Sequence, residues 1–136
     1  MKRSATANWK GSGKEGSGKL LTQSGVIKNK AYDYRSRFED GTYTNPEELI
    51  AAAHAGCFTM KLSFNLNAAG FTADNLETVG TVTFENGVIA ASHLDLTAKV
   101  PGIDKAKFDE LVKDAELNCP ISKSLNTSIT VSSVLV

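Results

Sequence analysis

The sequence predicts an α+β domain, with antiparallel sheets around one long, buried central helix. Three observations lead there. Short alternating runs fill the first forty residues, broken by glycine and serine. Residues 49–69 are apolar almost all round and contain no proline. Two further alternating runs flank Asn86-Gly87, a dipeptide that favours a two-residue hairpin turn.

The elements follow in order. Residues 4–10 alternate and carry the single tryptophan, Trp9, so they read as a strand. Residues 11–18 form a glycine-, serine- and lysine-rich connection. Residues 19–22 and 26–27 read as extended chain broken at Ser24-Gly25. Residues 32–38, rich in aromatics, read as another short strand. Asn45-Pro46-Glu47-Glu48 then marks a helix start: Asn45 caps, Pro46 fits the first helical position, and Glu48 completes a capping-box pattern. Gly70 supplies the stop. A helix without a wide polar face is expected at the centre of a fold, and its run of small residues, 51–56, lets another element approach the backbone closely. A hairpin over 76–100 follows and ends at Pro101-Gly102. Asp104 caps a second helix bearing Phe108, Leu111, Val112 and Ala115 on one face. Cys119-Pro120 opens a short helix to Leu125, and a strand over 127–136 closes the chain.

With 136 residues and 41% apolar content, the chain suits a single domain, 1–136. Fifteen basic residues balance fifteen acidic ones. That argues against a nucleic-acid partner, which calls for a basic stripe. No apolar run approaches a membrane span. The first eighteen residues lack the apolar centre of a secretory signal, so the expected compartment is the cytoplasm. There a pair of cysteines is expected to be reduced, and redox-active rather than structural if it pairs at all.

The two cysteines, Cys57 and Cys119, lie far apart, and no C-x-x-C occurs. Their spacing to His54 and His93 gives little support to a zinc site. Taken alone, Cys57 reads first as a small apolar residue in a tight helix contact. Cys119, just before a proline at a helix start, is expected to meet free backbone N–H groups and a positive dipole end, both of which lower a thiol pKa. Peroxide reduction needs such a thiolate, an arginine to stabilise it, a carboxylate to hold the arginine, and a second thiol to capture the sulfenic acid. Arg37 is one of only three arginines. By itself it reads equally well as a surface residue, and Glu47 as a simple helix N-terminal charge. His54, one helical turn before Cys57, fits a hydrogen-bonded structural histidine better than a base. Phe38, Tyr43 and Phe58 suit either a greasy pocket or the core.

The run Thr44-Asn45-Pro46-Glu47-Glu48-Leu49-Ile50-Ala51-Ala52-Ala53-His54-Ala55-Gly56-Cys57-Phe58 resembles the central-helix signature of the OsmC/Ohr proteins, the osmotically inducible and organic-hydroperoxide-resistance family. Arg37-Phe38-Glu39 resembles that family's arginine segment. Pro101-Gly102-Ile103 and Asn118-Cys119-Pro120-Ile121-Ser122 resemble its second-cysteine region. The matches fall in order, and Arg-Phe-Glu with Pro-Gly-Ile is more similar to the OsmC branch. The resemblance implies a thiol peroxidase that prefers organic hydroperoxides and uses no metal or organic cofactor. It implies an intertwined homodimer recycled by a dithiol reductant of the lipoyl type. It also implies roles: Cys57 peroxidatic, Cys119 resolving, Arg37 stabilising the thiolate and Glu47 orienting Arg37. Two other readings stay open, a dimer that binds a small apolar ligand with inert cysteines, and a thiol redox sensor.

Overall fold

A computed structural model describes all residues, 1–136. The chain forms two compact units, Met1–Leu49 and Ile50–Val136.

The first unit holds a three-stranded antiparallel sheet of β1 (Ala5–Lys10), β2 (Ser17–Thr22) and β3 (Lys30–Tyr32), in that order. Trp9 and Tyr32 meet across it, ring centroids 5.3 Å apart. The space beneath them is filled by Gly18, where a Cβ would sit 2.5 Å from the Tyr32 ring and 2.8 Å from that of Trp9. The strand expected over 32–38 ends at Tyr32. Residues Tyr34–Phe38 instead form a short helix, α1, because the Asp33 carboxylate accepts the Ser36 N–H at 2.8 Å and caps it. Ser36 then organises the loop that follows. Its hydroxyl accepts the Tyr43 N–H at 3.0 Å, and its carbonyl accepts the Asn45 amide at 2.7 Å.

Helix α2 (Pro46–Ala68) starts as expected, with Asn45 accepting the Glu48 N–H at 2.8 Å. The Glu48 carboxylate takes the Thr44 hydroxyl at 3.2 Å. The helix ends in a Schellman arrangement: Phe71 N–H bonds Leu66 C=O and Gly70 N–H bonds Asn67 C=O, with Gly70 at φ 89°.

In the second unit, β4 (Asn75–Glu85) and β5 (Val88–Lys99) form the hairpin, with Asn86 and Gly87 both at positive φ as a type I′ turn requires. Helix α3 (Lys105–Asn118) is capped by Asp104, which accepts the Lys107 N–H at 2.9 Å. Helix α4 (Pro120–Ser124) and strand β6 (Ser128–Leu135) complete the chain. Strand β6 pairs with β5 in parallel, so this sheet is mixed rather than wholly antiparallel. The two helices between β5 and β6 form a crossover that returns the chain to the starting end of β5.

The core of this unit joins three sources: Phe58, Leu62 and Leu66 from α2, the inward positions Leu94, Leu96 and Ala98 of β5, and Phe108, Leu111, Val112 and Ala115 of α3. The four-residue spacing puts His54, Phe58, Leu62 and Leu66 on one buried ridge of α2. The same spacing leaves Met60 and Phe64 outside, 64% and 67% exposed, so in the single chain the helix is buried along one side only.

Candidate active site

The four residues singled out in the sequence fall into two pairs, one inside each unit. In the first unit, α1 carries Arg37 and the first turn of α2 carries Glu47. The Arg37 Nε lies 3.1 Å from one carboxylate oxygen of Glu47 and 3.3 Å from the other, and a terminal nitrogen lies 2.9 Å from the first. Glu47 is 9% exposed, so the carboxylate is a buried anchor for a guanidinium that still reaches solvent. The Phe38 ring lies under the guanidinium, 5.3 Å from centroid to Cζ. An apolar cleft of about 390 Å³ opens in the same unit, lined in part by Val26, Ile27, Ala31, Tyr43 and Leu49.

In the second unit, α2 presents Cys57 and the junction of α3 and α4 presents Cys119. Both thiols are free, Cys119 wholly buried and Cys57 half-buried. The Cys119 sulfur lies close enough to Cys57 to act on its protonation. Burial pushes the Cys57 thiol above its ordinary pKa, and the neighbouring Cys119 thiol adds to the rise, while the Ile121 backbone N–H pulls it down. Two expectations change here. The free amide at the start of α4 serves Cys57, whereas Cys119 makes no side-chain cap bond to that helix. And the surroundings of Cys57 within its own unit favour the thiol, not the thiolate.

One turn before Cys57, His54 is fully buried with both ring nitrogens engaged: Nδ1 lies 2.6 Å from the Ser92 hydroxyl on β5, and Nε2 lies 2.8 Å from the Ser122 hydroxyl on α4. Burial lowers its pKa, so the ring is neutral, with one nitrogen donating and the other accepting. This matches the structural histidine expected from the sequence. Its partners Ser92 and Ser122, and the Ile121 amide, were not foreseen. Only the position of Ser92 on the inward face of an alternating strand hinted that a buried partner was needed. Of the three aromatics, Phe58 belongs to the core, while Phe38 and Tyr43 are half-exposed.

A long helix and a helix junction bringing two thiols together on an α+β frame define a dithiol protein of redox type. The family model for OsmC-like protein matches residues 39–134, crossing from the first unit into the second and containing Glu47, Cys57 and Cys119. The chain is 41% identical over 128 residues to peroxiredoxin OsmC of Escherichia coli (strain K12), covering 91% of this chain and 90% of that protein. It is 32% identical over 102 residues to the organic hydroperoxide resistance protein of Xanthomonas axonopodis pv. citri (strain 306), covering 70% and 68%. Its fold is similar to the crystal structure of the organic hydroperoxide resistance protein OhrB of Bacillus subtilis, with a TM-score of 0.70 at 24% identity and coverage of 96% and 98%. The chain belongs to the OsmC-like protein family.

Proposed function

We propose that the protein is a cysteine-based peroxidase that reduces organic hydroperoxides to alcohols. The observation that carries this reading is the facing of Cys57 and Cys119, two free thiols distant in sequence. The names of the relatives, peroxiredoxin and organic hydroperoxide resistance protein, point the same way. The Cys57 thiolate attacks one peroxide oxygen; the O–O bond breaks, the alkoxide leaves as alcohol after taking a proton, and Cys57 becomes a sulfenic acid. The Cys119 thiol then attacks the Cys57 sulfur, water leaves, and a disulfide joins the two. A dithiol reductant, for which a lipoyl-type carrier is the proposed donor, reopens it by exchange.

Arg37 is assigned the stabilisation of the thiolate and of the departing alkoxide, and Glu47 the orientation of Arg37. The multidentate Arg37–Glu47 contact supports this. A homodimer is supported by the apolar side of α2 that a single chain leaves open, with Met60 and Phe64 exposed. No helix is long and apolar enough to cross a membrane, and the cytoplasm is the compartment in which this cycle keeps its thiols reduced.

The raised pKa of Cys57 favours the competing reading of an inert thiol in a ligand-binding dimer. Counting free thiols before and after one equivalent of cumene hydroperoxide decides between them. Loss of both, with a mass showing an intramolecular disulfide, is the expected result. Survival of both would overturn the peroxidase reading.

A further inference from the structure

His54 and Cys57 lie on one side of α2, a single turn apart, and both face α4. They meet the same short stretch of chain. Cys119 is the N-cap of α4, the Ile121 amide is directed at the Cys57 sulfur, and the Ser122 hydroxyl is bonded to His54. The contact between the helices therefore has two rungs: one of sulfur and amide, where chemistry occurs, and one of imidazole and hydroxyl, which takes no part in it. The second rung is sealed. His54 and Ser92 are wholly buried and Ser122 is 8% exposed, so water does not substitute readily for either hydroxyl. Its far end is fixed to β5 through Ser92. Helix α4 has only five residues. A segment this short does not hold its place by helix propensity.

We infer that His54 is a positioning residue for the resolving step: by bonding the Ser122 hydroxyl it holds the start of α4 against α2, so that the Cys119 thiol stands over the Cys57 sulfur. This rests on the peroxidase reading above. The consequence is a partition. A Cys57 sulfenic acid has two fates: Cys119 attacks it, releasing water and forming the disulfide, or a second hydroperoxide oxidises it to the sulfinic acid, releasing an alcohol. The first is an intramolecular reaction whose rate follows the placement of the thiol, while the second depends on hydroperoxide concentration. Loosening α4 slows the first, and so raises the sulfinic yield for each sulfenic acid formed.

The test compares Ser122→Ala with Ser92→Ala. Each leaves one His54 nitrogen without its hydroxyl, so a merely structural histidine would make the two behave alike. With excess cumene hydroperoxide and intact-mass detection, Ser122→Ala is expected to raise the ratio of sulfinic acid to disulfide about tenfold. Ser92→Ala should stay near the parent, and Ser122→Thr, which keeps the hydroxyl, should restore it. A ratio that moves equally in both alanine variants, or in neither, overturns the inference. A second measurement needs no peroxide. The disulfide is equilibrated against reduced and oxidised glutathione, and the effective concentration of Cys119 at Cys57 should fall about tenfold in Ser122→Ala only. If that fall occurs while the parent forms no sulfenic acid with hydroperoxide, the positioning role stands and the peroxidase reading fails. An unchanged effective concentration in an active parent sinks the positioning role alone.

Discussion

Arg37 and Glu47 are joined by a guanidinium edge that spans both carboxylate oxygens, with the carboxylate buried and the arginine reaching solvent. The carboxylate sits in the first turn of α2, a helix of 23 residues, while the arginine sits in a helix of five residues that depends on the Asp33 cap. Glu47 is thus the fixed member and Arg37 the held one.

If Arg37 stabilises the Cys57 thiolate, Arg37→Ala raises the thiol pKa further and lowers kcat/KM by about 100-fold. Glu47→Gln keeps the shape but removes the charge that orients the guanidinium, with a smaller loss. The double variant should be no worse than Arg37→Ala, because the two act as one unit. Ultraviolet titration of the thiolate checks the first point. An unchanged titration in Arg37→Ala removes the arginine from the mechanism.

The two thiols are expected to fail differently. Cys57→Ser loses hydroperoxide consumption altogether. Cys119→Ser completes one turnover and stops as a sulfenic acid, which a dimedone-type trap and intact mass will detect. Full multiple-turnover activity in Cys57→Ser would refute the assignment of the attacking sulfur.

Local chemistry was the legible part of this sequence. Asn86-Gly87, the Asn45 and Asp104 caps and the Gly70 stop all act within a few residues, and each appears where it was read. The exceptions share a physical cause. Whether β6 runs parallel or antiparallel depends on the route taken by α3 and α4, and alternation alone is blind to direction. Aromatic content made 34–38 look like a strand, but one carboxylate at Asp33 outweighed it. At the site, side-chain types marked Cys57 and Cys119, while Arg37 and Glu47 stood out only through the family resemblance. The Ile121 amide carries no side-chain signature, and two serines remote in sequence do not announce a shared histidine.

Close approach between α2 and β4 makes Gly80 a sensitive position. A Cβ there would lie 2.8 Å from the Ala51 carbonyl oxygen and 3.3 Å from the Ala55 Cβ. Backbone does not yield as a side-chain tip does, so Gly80→Ala should cost about 1–3 kcal/mol of stability. Urea unfolding gives the value directly; a variant as stable as the parent would show that the helix and strand can part without loss.

The exposed side of α2 yields a prediction about assembly. Phe64→Asp places a charge where the proposed dimer buries an aromatic ring, and should weaken association by about 100-fold or more while leaving the chain folded, since Phe64 is 67% exposed in the single chain. Sedimentation velocity should show a dimer for the parent and a monomer for the variant. A variant that stays dimeric would move the interface elsewhere.

His54 also makes stability depend on pH, and the sign follows from its burial. Its ordinary value is 6.5, and burial lowers it in the folded chain. Between the lowered value and about 6.5, the unfolded chain binds a proton that the folded one does not. Unfolding free energy therefore falls as pH drops through about 6.5, by at most about 1.4 kcal/mol per pH unit for one such group, and stops falling once the folded value is passed. Above about 6.5 the group adds no slope. Asp33 and Asp114 are lowered too, by the Ser36 backbone N–H and by the Asn118 side chain respectively, but their effect lies at lower pH, in the carboxylate range. Urea midpoints measured from about pH 7.5 to about pH 5 should show the decline in the parent and a flatter profile in His54→Gln, whose amide does not titrate. Identical profiles would mean that the imidazole is protonated as easily inside the fold as outside it, and would overturn the prediction.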